Sequence, residues 1–164
     1  MSVSITPQIQ MTAVRTATAD AADDIQVLQS GFNLTGRQLN ASSTPPVTME
    51  SYHTYALVAG AKTIDLTAIL DALGVSQTAV GLKLQTLIIK NPAGNNKLTI
   101  GPGGSNPYPL FGTGLSAEIP GNAAGDSYLA FVFPEGLPDV ASGVKNILVS
   151  GTGTETFSLG ICLG

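Results

Sequence analysis

Chemistry in this chain would have to start at His53, its single histidine, set in the run ESYHTYA. A general base needs a nucleophile or a substrate proton within hydrogen-bond reach, and no partner motif accompanies this one. Between Tyr52 and Tyr55 it reads as a half-exposed strand residue. Cys162, the single cysteine, lies in FSLGICLG. It can form no internal disulfide, and its apolar neighbours suit a small buried hydrophobe better than a reactive thiol. One His and one Cys do not supply the three or four ligands of a zinc site. Carboxylate-pair catalysis needs two acids in one cleft. Asp65, Asp71, Glu118, Asp126, Glu135, Asp139 and Glu155 mostly stand beside turn signals, where an acid satisfies nearby backbone amides. Asp20, Asp23 and Asp24 hint at calcium but lack the spacing and glycine of a calcium loop, and read as a solvated acidic loop. GPGGSNP and GTGTE precede neither a Lys-Ser/Thr pair nor a convincing helix, so a phosphate cradle fails its structural test. The expectation is a protein that is not an enzyme, with no cofactor, no metal and no small-molecule substrate.

Composition narrows the class further. The 164 residues suffice for one domain with a real core. Hydrophobic residues make up 43% and charged residues only 11%, against roughly 25% charged in ordinary domains. Two explanations fit: a surface largely met by other protein, or a neutral Ser/Thr/Asn-rich surface of the secreted type. The net charge is −4, and Arg15, Arg37, Lys62, Lys83, Lys90, Lys97 and Lys145 are scattered singly. Direct nucleic-acid binding, which needs concentrated positive charge, is not expected. No apolar run approaches the ~18 residues of a membrane span. MSVSITPQIQ has neither a basic n-region nor an apolar h-region, so synthesis in the cytoplasm without a signal peptide is expected. The sequons at Asn33 and Asn40 therefore carry little meaning. Aromatic residues are 5% with no Trp, which is poor material for a sugar-stacking platform; Tyr52, Tyr55, Tyr108, Phe111 and Tyr128 serve as easily in a core or interface.

The elements that would position these residues are mostly strands. Residues 1–46 differ in texture, rich in Thr, Ala, Ser and Gln and closed by Pro45 and Pro46. They read as an extended arm with one or two strands, IQVLQSGFNL among them. Residues 47–164 read as a β-sandwich domain. VTMESYHTYALVAG is a strand closed by Gly60, and KTIDL puts Ile64 and Leu66 on one face. Leu66, Ile69, Leu70 and Leu73 then fall at helical spacing, with Asp65 as N-cap and Gly74 as terminator, predicting a short helix near 66–73. GLKLQTLIIKN and KLTIG flank NPAGNN, which predicts a hairpin with a fully buried apolar run. GLSAEIP places Leu115, Ala117 and Ile119 on one side. DSYLAFVF is apolar on both faces and is expected at the sandwich centre. VKNILVSG and TETFSLGICLG close the chain. The fold class expected is all-β, an antiparallel, jelly-roll-like β-sandwich.

From about Lys62 to Gly164 the order of motifs resembles small β-sandwich virion proteins of tailed bacteriophages. The residues that carry it are IDLTAILDALG, LQTLIIKNPAGNNKLTIGPGGSNPYPLFG, EIPGN, LAFVFPEGL and VKNILVSGTGTETFSLGICLG. The resemblance implies a capsid decoration (cement) protein on the virion surface, or a tail- or fibre-associated module that binds a receptor or carbohydrate. The short chain, without a stalk-like repeat and beginning in a polar arm, favours the first. Its partners would be the major capsid protein and itself, as a homotrimer. The contact residues expected are Ile5, Ile9, Met11 and Val14 of the arm, with Tyr108 and Phe111 of the NPYPLFG loop. Arms of this kind bind by adding strands to exposed sheet edges.

Overall fold

A computed structural model describes residues 42–71, 74–133 and 135–164, preceded by four two-residue strand pieces. These are β1 (Ser4–Ile5), β2 (Gln10–Met11), β3 (Phe32–Asn33) and β4 (Leu39–Asn40). β1 pairs antiparallel with β4 and β2 with β3, giving four strand pieces where the sequence suggested one or two.

The main body begins with β5 (Met49–Ala56) and β6 (Ala61–Asp65), followed by one 3-10 turn at Leu66–Ala68. A small antiparallel pair, β7 (Ile69–Leu70) and β8 (Ser76–Gln77), comes next. Then follow β9 (Leu84–Asn91), β10 (Leu98–Pro102), β11 (Ala117–Ile119), β12 (Ser127–Val132), β13 (Asn146–Ser150) and β14 (Thr156–Leu163). Leaving aside the small pair, these strands form two four-stranded antiparallel sheets, ordered β12-β9-β14-β5 and β11-β10-β13-β6. Only β10 and β11 are consecutive strands of one sheet; every other step along the chain crosses to the opposite sheet. That connectivity is a jelly roll, a double-sheet answer to the problem of unpaired edges.

Alternation explains the core. Leu87 and Ile89 of β9 and Phe157, Leu159 and Ile161 of β14 point inward from the first sheet, each no more than 1% exposed. Ile64, Leu98, Ile100, Ile147 and Val149 meet them from the second. β-Branched and leucine side chains at every second position fit the pleat of a half-buried strand. Among the described residues, no helix is long and apolar enough to cross a membrane.

Several sequence expectations need correction. The stretch from Leu84 to Pro102 is not a hairpin, because β9 and β10 lie in different sheets. PAGNNK is a corner that carries the chain across the sandwich, and Asn91 holds it there. The helix near 66–73 shrinks to one 3-10 turn. Asp65 does cap it, accepting Thr67 N at 2.8 Å, but Ile69 returns to extended backbone at φ −75°, ψ 144°. Leu66 and Ile69 are both buried, so the i, i+3 spacing was real although a turn and a strand satisfy it. Gly74, at φ +78°, turns the β7–β8 connection instead of ending a helix; Ala72 and Leu73 lie outside the described residues. β12 is an edge strand, paired only with β9, and its residues alternate between half-buried and exposed. Within the run LIIK, Ile88 faces outward and is 43% exposed. Leu115 precedes β11 and is also exposed.

Candidate interaction surfaces

Most of the described acids are occupied locally. His53 stands at an inward position of β5, two residues from Ser51 and from Tyr55, where it is half-buried and meets the Tyr55 ring edge-on at 4.9 Å. Asp65 Oδ2 lies 2.6 Å from Lys145 Nζ, and Asp65 Oδ1 accepts the Thr67 hydroxyl at 2.6 Å. Burial works to raise this carboxyl's pKa, but the bonds to Lys145 and Thr67 outweigh it and hold the group below its ordinary value. Asp71 accepts Val75 N and Gln77 Nε2. Asp126 pairs with Lys90 at 2.5 Å and accepts Ala93 N, and its pKa is lowered first by that lysine. Glu118 pairs with Lys97 and Asp139 with Lys83. Among the described residues, no three His, Cys, Asp or Glu side chains gather as a metal site. Asp20, Asp23 and Asp24 lie outside those residues.

A second polar group closes the corner after β9. Asn91, 1% exposed, donates from Nδ2 to Asn96 O and Pro120 O at 2.9 and 3.1 Å. Its Oδ1 accepts Asn95 Nδ2 at 2.9 Å, and the same amide also reaches Thr156 O. Glu155 Oε1 accepts Asn96 N and Nδ2 at 2.7 and 2.8 Å, while Oε2 accepts Thr152 N. The Asn96 backbone amide is the main reason that the Glu155 carboxyl stays below its usual pKa. This network ties three loops at one end of the sandwich, and each polar atom in it serves the fold.

The glycine motifs also serve packing. A Cβ on Gly103 would sit 2.5 Å from Asn146 Cβ, and one on Gly151 would sit 2.5 Å from Leu98 Cδ2. Only glycine allows the approach at Gly103, whereas a side chain at Gly151 would have to displace the ends of Leu98 and Leu57.

The expected contact residues fare unevenly. Tyr108 is 0% exposed: its hydroxyl donates to Pro138 O at 2.7 Å and accepts Leu84 N at 3.3 Å. Burial pushes its pKa up to about 12. It is therefore a core anchor and cannot touch a partner or glycan. Phe111 is half-buried, its ring 4.7 Å from that of Phe131. The loop around them forms an open groove of about 370 Å³ lined by Pro102, Pro107, Pro109, Thr113 and Val144, without either ring. In the arm, Ile5 stands opposite Leu39 and Met11 opposite Phe32 in the short ladders; Ile9 and Val14 lie outside the described residues.

What composition alone did not point to is the outer face of the β12-β9-β14-β5 sheet. Register places Ala130, Ile88, Gly160 and Tyr52 in one row across all four strands. Tyr128 and Val132 flank it on β12. Tyr52 is 61% exposed, Tyr128 62% and Ile88 43%. A Cβ on Gly160 would lie 3.5 Å from Tyr52 Cδ2, so the aromatic ring leans over the glycine. On the same face Cys162, between Thr86 and Glu50, is buried, and its thiol is pushed up to about 12 by burial and then by Glu50. That face can bind by apolar contact. Its cysteine is held as the thiol.

No protein-family model matches this chain, and no curated protein matches it in sequence. Among solved structures, it aligns with a chain of the virus-like particle of the giant freshwater prawn Macrobrachium rosenbergii extra small virus. The alignment has 13% identity and a TM-score of 0.32, covering 72% of this chain and 81% of that one. At that score the likeness adds nothing to the functional argument.

Proposed function

We propose that this chain is a non-enzymatic structural virion protein, a decoration or cement protein that binds the assembled head of a tailed phage and stabilises it. The observation that carries the reading is the exposed apolar row Ala130, Ile88, Gly160 and Tyr52. Apolar surface left open on a sheet that otherwise packs well marks a contact site. The order of motifs over residues 62–164, which resembles small phage virion proteins, supports the same class. Jelly rolls also occur in lectins, so the fold itself does not choose. The mechanism is mass action: a protein that binds only the closed shell lowers its free energy by RT ln(1 + [L]/Kd). Its partners on this reading are the major capsid protein and other copies of itself, and its location is the capsid surface.

Co-sedimentation with empty phage heads tests the proposal. The full chain is expected to pellet with heads saturably and to raise their melting temperature. Residues 42–164, which hold the core formed among the described residues, are expected to fold alone and to bind less tightly if the arm contributes. Heads that neither retain the chain nor gain stability would end the reading. A second reading, a tail- or fibre-associated receptor- or carbohydrate-binding module, is favoured by the groove beside Pro107 and Pro109. It requires saturable glycan or cell-surface binding by the isolated protein.

A further inference from the structure

A jelly roll leaves the outer strands of its two sheets unpaired, here β12, β5, β11 and β6. Natural proteins blunt such edges with shortness, charge, proline, bulges, inward-pointing ions or a covering segment. Three of the four edges carry such a device. β11 has only three residues, with Glu118 paired to Lys97 and Pro120 following at once. β6 turns Lys62 to the same side as the core residue Ile64, with its ammonium 5.8 Å from the Tyr55 ring centre. β5 is flanked by β7: the Ser51 hydroxyl donates to Leu70 O, and Tyr55 bonds the Leu70 backbone.

Among the described residues, β12 carries none of these within its ladder, which Asp126 precedes and Pro134 follows. It has six residues, SYLAFV, without charge, proline or bulge, and its register with β9 is unbroken from Ser127 to Val132. Phe133 N extends the ladder by donating to Gln85 O. Among the described residues, no other strand or loop bonds the outer side of β12.

We propose that β12 docks against β12 of a second copy, antiparallel, about a two-fold axis through Ala130 and normal to the sheet. The occupant follows from the count of open edges in the two four-stranded sheets, where β12 alone lacks a device. A head-to-tail ring or trimer built by strand pairing needs two different open edges on each subunit, whereas an isologous pair needs one. The ladder from Ser127 to Phe133 is centred on Ala130, whose small side chain suits the axis. Pairing residues whose numbers sum to an even value keeps both outward faces on one side. It sets Tyr128 beside Val132 and Ala130 beside Ala130, with no like charges opposed. The product is one eight-stranded sheet whose two apolar rows run on into each other. This goes beyond the head-binding reading and needs no shell, so either can fail alone.

Two measurements on the full chain test it. Paired Cα atoms in an antiparallel ladder lie about 4.5–5.5 Å apart, inside the ~4.4–6.8 Å reach of a disulfide. Ala130→Cys is expected to oxidise to a covalent dimer well before Tyr52→Cys, which lies on the guarded edge of the same face. In sedimentation equilibrium the wild type is expected to dimerise, and Ala130→Lys to weaken the dimer about tenfold or more by opposing like charges. Mixing Ala130→Lys with Ala130→Glu should restore it. A wild type that stays monomeric at every accessible concentration, including one that binds a strand of another protein instead, overturns the proposal. So does a dimer unaffected by Ala130→Lys, or equal oxidation of the two cysteine variants.

Discussion

The corner at Asn91 and the outer face at Ile88 begin three residues apart on one strand, yet they solve opposite problems. At the corner, amides and a carboxylate meet the polar atoms of three loops, and the group is closed on itself. On the face, apolar side chains from three strands stand in register about Gly160 of the fourth and remain open. Polar chemistry in this protein holds the chain, and exposed apolar surface is what remains for others to bind. On the proposed reading, function follows from what the described residues leave uncovered.

Substitutions can sharpen or break that contrast. Phe157→Ala, beneath both regions and stacked on Tyr55 at 5.6 Å between ring centres, sets the scale. Removing a buried aromatic costs about 3–5 kcal/mol in urea unfolding. Asn91→Ala should come next. It strands Asn96 O and Pro120 O and leaves Asn95 Nδ2 only Thr156 O, at about 1–3 kcal/mol in the same assay. If it proves neutral, the corner is not structural and the contrast fails.

Glu155→Gln probes the same corner through pH. The folded pKa of Glu155 lies below its ordinary 4.5, so its contribution is complete above that value and is lost as pH falls through the lowered one. Acid titrations of stability should show a shallower acid limb for the variant; identical limbs would remove Glu155 from the network. The smallest effect on stability belongs to the face. The double change Tyr52→Ser with Ile88→Ser should leave unfolding within about 0.5 kcal/mol, as exposed sites do, while abolishing head binding. A large loss of stability with binding intact would reverse the roles of the two regions.

Much of the sandwich was legible because alternation and turn residues are local. Ile147 and Val149, or Phe157, Leu159 and Ile161, announce an inward face without tertiary information. Asp65 as a cap was legible for the same reason. The failures were non-local. PAGNNK has the residues of a turn whether its strands pair or part, and only the sheet on which β10 lies decides. DSYLAFVF reads as doubly apolar either because it is central or because one face is a contact surface, and composition does not separate these. Tyr108 sits in a Pro/Gly loop that looked superficial, yet its hydroxyl ties Leu84 N to Pro138 O inside the core. The exposed row was hidden because its members come from four strands distant in sequence and become neighbours only through register.

Hydroxyl-radical footprinting of the free chain and of the chain bound to empty heads tests the central claim most directly, read at Tyr52 and Tyr128 against the equally exposed Val58 and Leu115. The account predicts that Tyr52 and Tyr128 lose labelling on binding while Val58 and Leu115 keep it. Unchanged labelling of both tyrosines, with protection confined to Leu115 and the proline-lined loop, would contradict it.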